Sequence, residues 1–584
     1  MTTTLVNQAP QLEEYLKKWF GYNTFRPYQE EIIQAVLNKK DVVAILPTGA
    51  GKSLCYQLPA MLMPGTAIVI SPLISLMQDQ VQALTKNGVP AAYVNSSLPM
   101  SQLYDVLRNL SLYKLLYVAP ERFADPTFIE RLKEMNISFF IIDEAHCISQ
   151  WGHSFRPDYR QLSFIKKTFH DKPLMALTAT ATLAVENDIK EQLAIKHPHI
   201  VKGSFDRPNL MIRIKRLSDP TKEVLEYVKK RKGESGIIYA ATRKNVDQIY
   251  EVLKKEGINV GKYHAGLPDN IRHTSLHDFI HDKTPVMVAT VAFGMGINKP
   301  DVRYIVHYDM PKTIEQYYQE IGRAGRDGLP ADCLMYFDIQ ALFIYKSFLK
   351  DLTDPVVIQQ MKAKTDQMYS LCNSYDCRRV AILKYFSEKY HSQQCEGCDN
   401  CIDEEEKVDG TIIAQKILSC VHRLNQSFGI KHVIDVLKGS KNHNVLSRRH
   451  DTLSTYNLMN ECSESELRYY IESLISLNYL KISGDEYPIL QWTDDSASVT
   501  RGELKVEFRK KIIKMETKKK EKNPIKEMIA LVHNEELFEI LKNLRLHISE
   551  EEEIPPFAVF PDRSLYEMAA FILLKKKLIK LHTT

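Results

Sequence analysis

No uninterrupted apolar run in this 584-residue chain approaches the ~18 residues that a membrane-spanning helix needs. The opening, Met1-Thr2-Thr3-Thr4-Leu5, has neither the basic stretch nor the apolar stretch of a secretory leader. Net charge is also small. Seventy-seven basic against 72 acidic residues leave +5, which excludes a strongly basic nucleic-acid coat while leaving room for local basic grooves. With 44% hydrophobic and 26% charged residues, the chain is neither collagenous, mucin-like nor wholly disordered. It shows no short-period repeat of the solenoid kind. These absences predict an intracellular globular protein of about three to five domains. A disulfide framework is not expected in such a compartment. Five of the ten cysteines nevertheless fall between Cys372 and Cys401, and that clustering needs its own reason.

What is present is a recurring pattern of short apolar runs separated by amphipathic stretches. One set comprises Asp41–Leu46, Thr66–Ile70, Leu115–Val118, Phe139–Ile142 and Leu174–Leu177; a second comprises Gly236–Tyr239, Val286–Ala289 and Tyr304–Val306. Runs of about four to eight residues with helical spacers predict buried parallel strands with crossover helices. The gap Lys202–Lys215 divides them into two α/β units, 1–205 and 206–340. A helical, then cysteine-rich stretch follows at 341–405, and compact helices with short strands at 406–514. A Lys/Glu-dense linker covers 515–533, and a last small helical segment covers 534–584.

Chemistry enters at Ile45-Leu46-Pro47-Thr48-Gly49-Ala50-Gly51-Lys52-Ser53, between an apolar strand and a helix. A triphosphate needs converging backbone N–H groups without Cβ obstruction, which Gly49 and Gly51 supply beside Thr48. It also needs a cation at the β/γ oxygens, Lys52, and a hydroxyl for Mg²⁺, Ser53. The strict pattern has glycine where this chain has Leu46, and the loop alone also reads as a chance turn. Asp143-Glu144-Ala145-His146, directly after an apolar run, adds a carboxylate to hold Mg²⁺ and a neighbour to position water. Nucleotide hydrolysis is therefore expected. In Gln316–Gly328, Arg323 and Arg326 stand three apart, on one helical face. A guanidinium reaching the γ-phosphate from a second lobe would tie hydrolysis to cleft closure. A salt-bridged helix end is the alternative.

Taken in order, these residues resemble the RecQ-type DNA helicases of superfamily 2, bacterial members in particular. Phe20-Gly21-Tyr22 with Phe25-Arg26-Pro27-Tyr28-Gln29 is similar to the family's adenine-binding motif, with Tyr28 where the family usually has glycine. Tyr22, Arg26 and Gln29 are then the implied base-binding residues. Ser71–Gln80 and Ala119–Arg122 match first-lobe DNA-contacting motifs, and Leu177–Ala181 the segment coupling hydrolysis to the other lobe. Phe205–Asn209 marks the inter-lobe junction, while Tyr263–Leu267 and Ala289–Lys299 match second-lobe motifs. The resemblance implies two RecA-like parallel-sheet lobes binding ATP·Mg²⁺ in their cleft. It also implies single-stranded DNA lying across both lobes and movement 3′ to 5′.

His146–Pro157 continues the acidic motif, with His146, Trp151, His153, Phe155 and Arg156 as candidate DNA-coupling residues. Aromatic faces stack on bases at about 1–3 kcal/mol each. In the family the matching loop couples DNA to turnover, and for Trp151 an interdomain core position is the alternative. Cys377, Cys395, Cys398 and Cys401 form C-x17-C-x2-C-x2-C, which suits a tetrahedral structural Zn²⁺ with no open position. Cys372 and His391 lie nearby as competing ligands. Gln426–Trp492 resembles the family's winged-helix (RQC) domain. A helix starting at Ser463–Glu466 would meet duplex DNA, and Arg448 and Arg449 would meet phosphates. A protein-binding winged helix is the alternative. Asn534–Ala570 resembles the start of an HRDC module, but its later glycine-containing turn is missing.

The fold expected is thus a multidomain α/β chain, with two lobes, a zinc-binding helical subdomain, a winged helix and a partial HRDC-like segment. The activity expected is an ATP-dependent DNA helicase using ATP, Mg²⁺ and Zn²⁺ on single-stranded and duplex or branched DNA. The resemblance places it in recombination, repair and the SOS response, as a cytoplasmic, nucleoid-associated monomer. A single-strand-binding protein is an expected partner at the winged helix. An RNA-dependent remodelling ATPase and a non-catalytic DNA-binding scaffold are the competing readings.

Overall fold

A computed structural model describes residues 9–95, 98–149, 156–217, 219–294, 299–338, 341, 344–345, 349, 354–402, 407–484, 488–509 and 535–570. The first lobe is a seven-stranded sheet in which every pairing is parallel. In chain order its strands are β1 (Val42–Ile45), β2 (Thr66–Ile70), β3 (Ala91–Val94), β4 (Leu115–Val118), β5 (Ile137–Ile142), β6 (Leu174–Thr178) and β7 (His199–Lys202). Across the sheet the order is β3-β4-β2-β5-β6-β1-β7. The central strands are apolar and buried on both faces, as helices on each side of a parallel sheet require.

The second lobe is a six-stranded parallel sheet of β8 (Leu210–Arg216), β9 (Gly236–Tyr239), β10 (Val260–Tyr263), β11 (Val286–Ala289), β12 (Tyr304–His307) and β13 (Ala331–Phe337). Its order is β10-β11-β9-β12-β13-β8. Within the expected gap Lys202–Lys215, β7 ends at Lys202 and β8 begins at Leu210, so the stretch free of strand is shorter than the sequence pattern shows. As an edge strand β8 alternates buried Leu210, Met211, Ile212 and Ile214 with Arg213, Lys215 and Arg216, so it shows no continuous apolar run. The sequence reading also passed over β13, whose apolar run Cys333–Phe337 follows Asp332. That carboxylate is fully buried and tied to Arg231 at 2.7 Å and to the Tyr227 hydroxyl at 2.9 Å.

Helices Pro355–Asn373 and Arg378–Tyr385 follow and pack on helix Ile314–Ile321, while the turn at Gly397–Asp399 lies along the free edge of β8. The Ile212 N–H donates to Gly397 O at 2.9 Å, and the Ile214 N–H to Asp399 Oδ2 at 3.0 Å. Helices Thr411–Arg423, Ile430–Leu437 and Glu464–Ser476 enclose a separate core with the hairpin β15 (Leu480–Ser483) and β16 (Ile489–Trp492). Strands β14 (Lys407–Asp409) and β17 (Glu507–Arg509) pair antiparallel where this unit begins and ends. Helix Glu535–Glu551 packs Phe538 on Leu565 and Ala569. No helix among the described residues is long and apolar enough to cross a membrane.

Candidate functional site

In the first lobe the acidic and basic halves of the cleft come from strands one apart: β5 carries Asp143 and β1 carries the phosphate loop, with β6 between them. Such a crevice, at the carboxyl ends of parallel strands, is where α/β sheets bind ligands. Leu46, the departure from the strict loop pattern, extends the strand pairing through its N–H to Thr178 O at 3.0 Å. Its own carbonyl receives Lys52 Nζ at 3.3 Å. Gly49 and Gly51 have φ of 89° and 78°. A Cβ on Gly51 would fall 2.5 Å from Gln29 Nε2 and displace that amide, and the φ of 78° is itself one that favours glycine. The buried Gln29 donates from Nε2 to Ala50 O and Gly51 O, both at 3.1 Å, and accepts the Arg26 N–H at 2.9 Å. Arg26 Nη1 bonds Gly49 O. Gln29 and Arg26 thus buttress the loop, while Tyr22 stands exposed beside them. Tyr28 sits at φ 72°, the conformation for which glycine is favoured.

The electrostatics are those of a site built for a polyanion and a cation. Burial pushes Lys52 below its usual range, against the pull of Glu144 and Asp143. Burial and the adjacent Glu144 push Asp143 up to about 7, with Lys52 opposing. Across the cleft, burial and then Arg323 and Arg207 push Arg326 down to about 9. The aliphatic stem of Arg326 lies over the phosphate loop, its Cγ 3.3 Å from where a Cβ of Gly49 would stand. Gly322 sits equally close to Thr48, at 3.1 Å on the same measure. The buried Arg323 lies over Gly294. Helix Ile314–Ile321, which leads into these arginines, is capped by Thr313 and anchored where Glu320 bonds His307 Nε2 at 2.8 Å.

A polar chain joins the acidic pair to this helix. His146 Nδ1 lies 3.3 Å from Glu144 Oε2 and 2.9 Å from Thr178 Oγ1. Thr178 Oγ1 donates to Thr180 O at 3.2 Å, and Thr180 Oγ1 accepts from Gln319 Nε2 at 3.1 Å. His146 is therefore an interior connection, fully buried. Arg156 Nη1 donates to Pro72 O at 2.9 Å, linking the end of the aromatic loop to a first-lobe motif. Trp151, His153 and Phe155 lie outside the described residues.

Sequence reasoning gave no site role to Arg207, although it marked the junction motif that contains it. Its Nη1 donates to Thr48 O at 3.3 Å and Gly322 O at 3.5 Å. Its Nη2 donates to Ala324 O at 2.9 Å and Gly325 O at 3.0 Å. One guanidinium thus touches the phosphate loop and the arginine turn together. Gln319 and Thr180 were also missed as a contact between lobes.

The sulfurs of Cys377, Cys395, Cys398 and Cys401 all lie within 4.8 Å of one another. Cys377 and Cys398 are 3.9 Å apart, near the about 3.8 Å edge of a tetrahedron with Zn–S bonds of ~2.3 Å. None of the four is in a disulfide. Hydrogen bonds from Cys377 and Cys398 hold the Cys395 thiol far below its ordinary range. The donor set is all-sulfur and largely buried, which fits zinc. Cys372 and His391 are outside the cluster.

The family models matched by the chain follow the same order as these elements. They are DEAD/DEAH box helicase over 26–189, helicase conserved C-terminal domain over 219–328 and RecQ zinc-binding over 340–402. RQC domain over 404–517 and HRDC domain over 534–572 complete the series. The chain is 42% identical to the ATP-dependent DNA helicase RecQ of Bacillus subtilis, over 95% of this chain and 92% of that one. It is 40% identical to the RecQ of Haemophilus influenzae, over 97% and 91% respectively.

The chain belongs to the RecQ family of ATP-dependent DNA helicases. Its zinc-binding subdomain is a RecQ module, and an RQC unit follows it. In that unit helix Glu464–Ser476 opens with a full capping box between Ser463 and Glu466. It then turns Leu467, Ile471 and Leu474 into the core. Its far end is committed to the rest of the protein: Glu472 pairs with Arg216 at 2.8 Å, and Ser473 accepts from the Tyr375 hydroxyl at 3.1 Å. Arg448 and Arg449 are exposed, with Arg448 5.2 Å over the Phe428 ring. The HRDC helices are held by buried Arg545, which bonds Phe560 O and Asp562 Oδ1, each at 2.8 Å. The charged linker 515–533 and the Lys-rich tail from Lys575 lie outside the described residues.

Proposed function

We propose that this RecQ helicase translocates 3′ to 5′ on single-stranded DNA and unwinds duplex or branched DNA in recombination and repair. Gly49, Gly51, Thr48 and Lys52 bind the phosphates, with Tyr22, Arg26 and Gln29 on the base side. Ser53 and Asp143 are the oxygen donors that would hold Mg²⁺, which when bound offsets phosphate charge. Glu144 orients the attacking water and accepts its proton, and His146 holds the Glu144 carboxylate in place. Arg326, seconded by Arg323, supplies positive charge where the γ-phosphate leaves. The close packing of Arg326 on Gly49 supports this reading best, since it joins the charge of lobe two to the loop of lobe one. Hydrolysis then loosens the cleft, and alternating grip on DNA advances the chain.

Trp151, His153, Phe155 and Arg156 sense single-stranded DNA, and Arg448 and Arg449 contact duplex phosphates. The protein acts as a cytoplasmic, nucleoid-associated monomer, with a single-strand-binding protein docking on the RQC unit. The decisive assay is ATP hydrolysis without nucleic acid, with single-stranded DNA and with single-stranded RNA, with Lys52→Ala as control. The expected result is strong DNA stimulation that disappears in the control. Preference for RNA would move the chain to an RNA-dependent remodeller, and background turnover to a scaffold.

A further inference from the structure

Residues 204–210, which join the two lobes, are gripped by the subdomain that carries the zinc cysteines. Helix Arg378–Tyr385 ends in a Schellman turn, with the Ser387 N–H donating to Lys384 O at 3.0 Å and the Glu388 N–H to Leu383 O at 2.9 Å. Ser387 takes φ 61° to make this turn, and the reversal lays Glu388 on the inter-lobe chain. Glu388 Oε1 accepts from Ser204 Oγ at 2.6 Å, and Oε2 from the Phe205 N–H at 2.7 Å. From the same helix Arg379 donates to Asp206 Oδ1 at 2.6 Å, Arg207 O at 2.7 Å and Leu210 O at 2.8 Å. The Phe386 ring stacks on Phe205, with centroids 4.4 Å apart and planes 9° from parallel. Tyr318, on the helix leading to Arg326, completes the ring cluster, 5.0 Å from Phe386, and donates to Phe205 O at 2.8 Å. A void of about 20 Å³ is lined in part by Phe205, Arg207, Tyr318 and Arg379. Close-packed contacts such as the Phe205–Phe386 stack transmit displacement.

The backbone of Arg207 is therefore fixed by the zinc-binding subdomain, while its guanidinium holds both halves of the ATP cleft. We propose that Arg207 is a positioning residue for ATP hydrolysis, setting the spacing between the phosphate loop and the Arg326 turn. Glu388 and Arg379 hold it at that spacing, so the zinc-binding subdomain forms a third wall of the cleft. The fork suits this role, since it reaches four carbonyls on two elements, whereas an ammonium is a point charge. Misplacement of reacting groups by about 1 Å costs on the order of 10²-fold in rate. The inference rests on the ATP site assigned above.

The test uses the full chain with Glu388→Ala, Glu388→Gln and Arg207→Lys. Zinc content, melting midpoint, kcat under saturating single-stranded DNA and KM for ATP are measured for each. Glu388→Ala should lower kcat by about 10- to 100-fold with zinc content and KM near wild type. Glu388→Gln, which keeps an acceptor for the Phe205 N–H, should recover a large part of that loss. Arg207→Lys should lower kcat to a similar extent, and it carries the test alone if the alanine variant does not accumulate folded. A kcat within about twofold of wild type in folded, zinc-loaded variants would overturn the proposal. A fall in kcat that only tracks lost zinc or lost folded protein would overturn it too. Turnover that survives Lys52→Ala would instead indict the ATP site itself.

Discussion

The ATP cleft and the cysteine centre achieve their chemistry in opposite ways. The four sulfurs come from one short stretch, closed on itself and largely buried. The cleft draws Lys52 from the first lobe, Arg323 and Arg326 from the second, and Arg207 from the chain between them. Its groups titrate away from their ordinary ranges, with Lys52 lowered, Asp143 raised to about 7 and Arg326 lowered to about 9. Burial drives each shift, and a triphosphate with its cation would supply the missing counter-charges. One centre is finished by a single ion. The other stays unbalanced until its substrate arrives, and that imbalance is what allows binding to close it.

The sharpest way to separate the two is Arg326→Ala. It should lower DNA-stimulated kcat by about 10³-fold or more while leaving zinc content and melting unchanged. Metal analysis beside steady-state kinetics checks both halves. The converse change, Cys398→Ser, should take zinc to background and cost several kcal/mol of stability, on the order expected for a structural site. Nucleotide binding by the first lobe should outlast it, as a fluorescent ATP analogue would report. Zinc retained in that variant would mean that the four-sulfur assignment is wrong. The smallest effect belongs to Tyr28→Gly, which relieves a left-handed residue beside the buttress of the phosphate loop. It should change unfolding free energy by no more than about 1 kcal/mol in a denaturant melt, leaving zinc content untouched.

The same contrast governs how much could be read before any coordinates. The cysteine spacing and the loop Thr48–Ser53 were legible because their ligands are near neighbours in sequence. The parallel-sheet lobes were legible because β1, β4 and β11 are unbroken apolar runs. Strand β8 was not, since at the sheet edge Arg213, Lys215 and Arg216 interrupt its pattern. Arg207 lay in a motif that was recognised, yet its reach to Thr48 and Ala324 depends on three bodies meeting. The helix Glu464–Ser476 showed its capping box plainly. That Glu472 would face Arg216 rather than solvent is a property of packing between units, which no periodicity encodes.

The turn between Cys395 and Cys398 does something besides bind metal. Gly397 and Asp399 hydrogen-bond the outer edge of β8, the last strand of its sheet. An open strand edge is a template for pairing with another chain, and here the cysteine turn occupies it. Loss of the ion would thus uncover a sticky margin, and the zinc-free protein would fail first by clumping with its own kind.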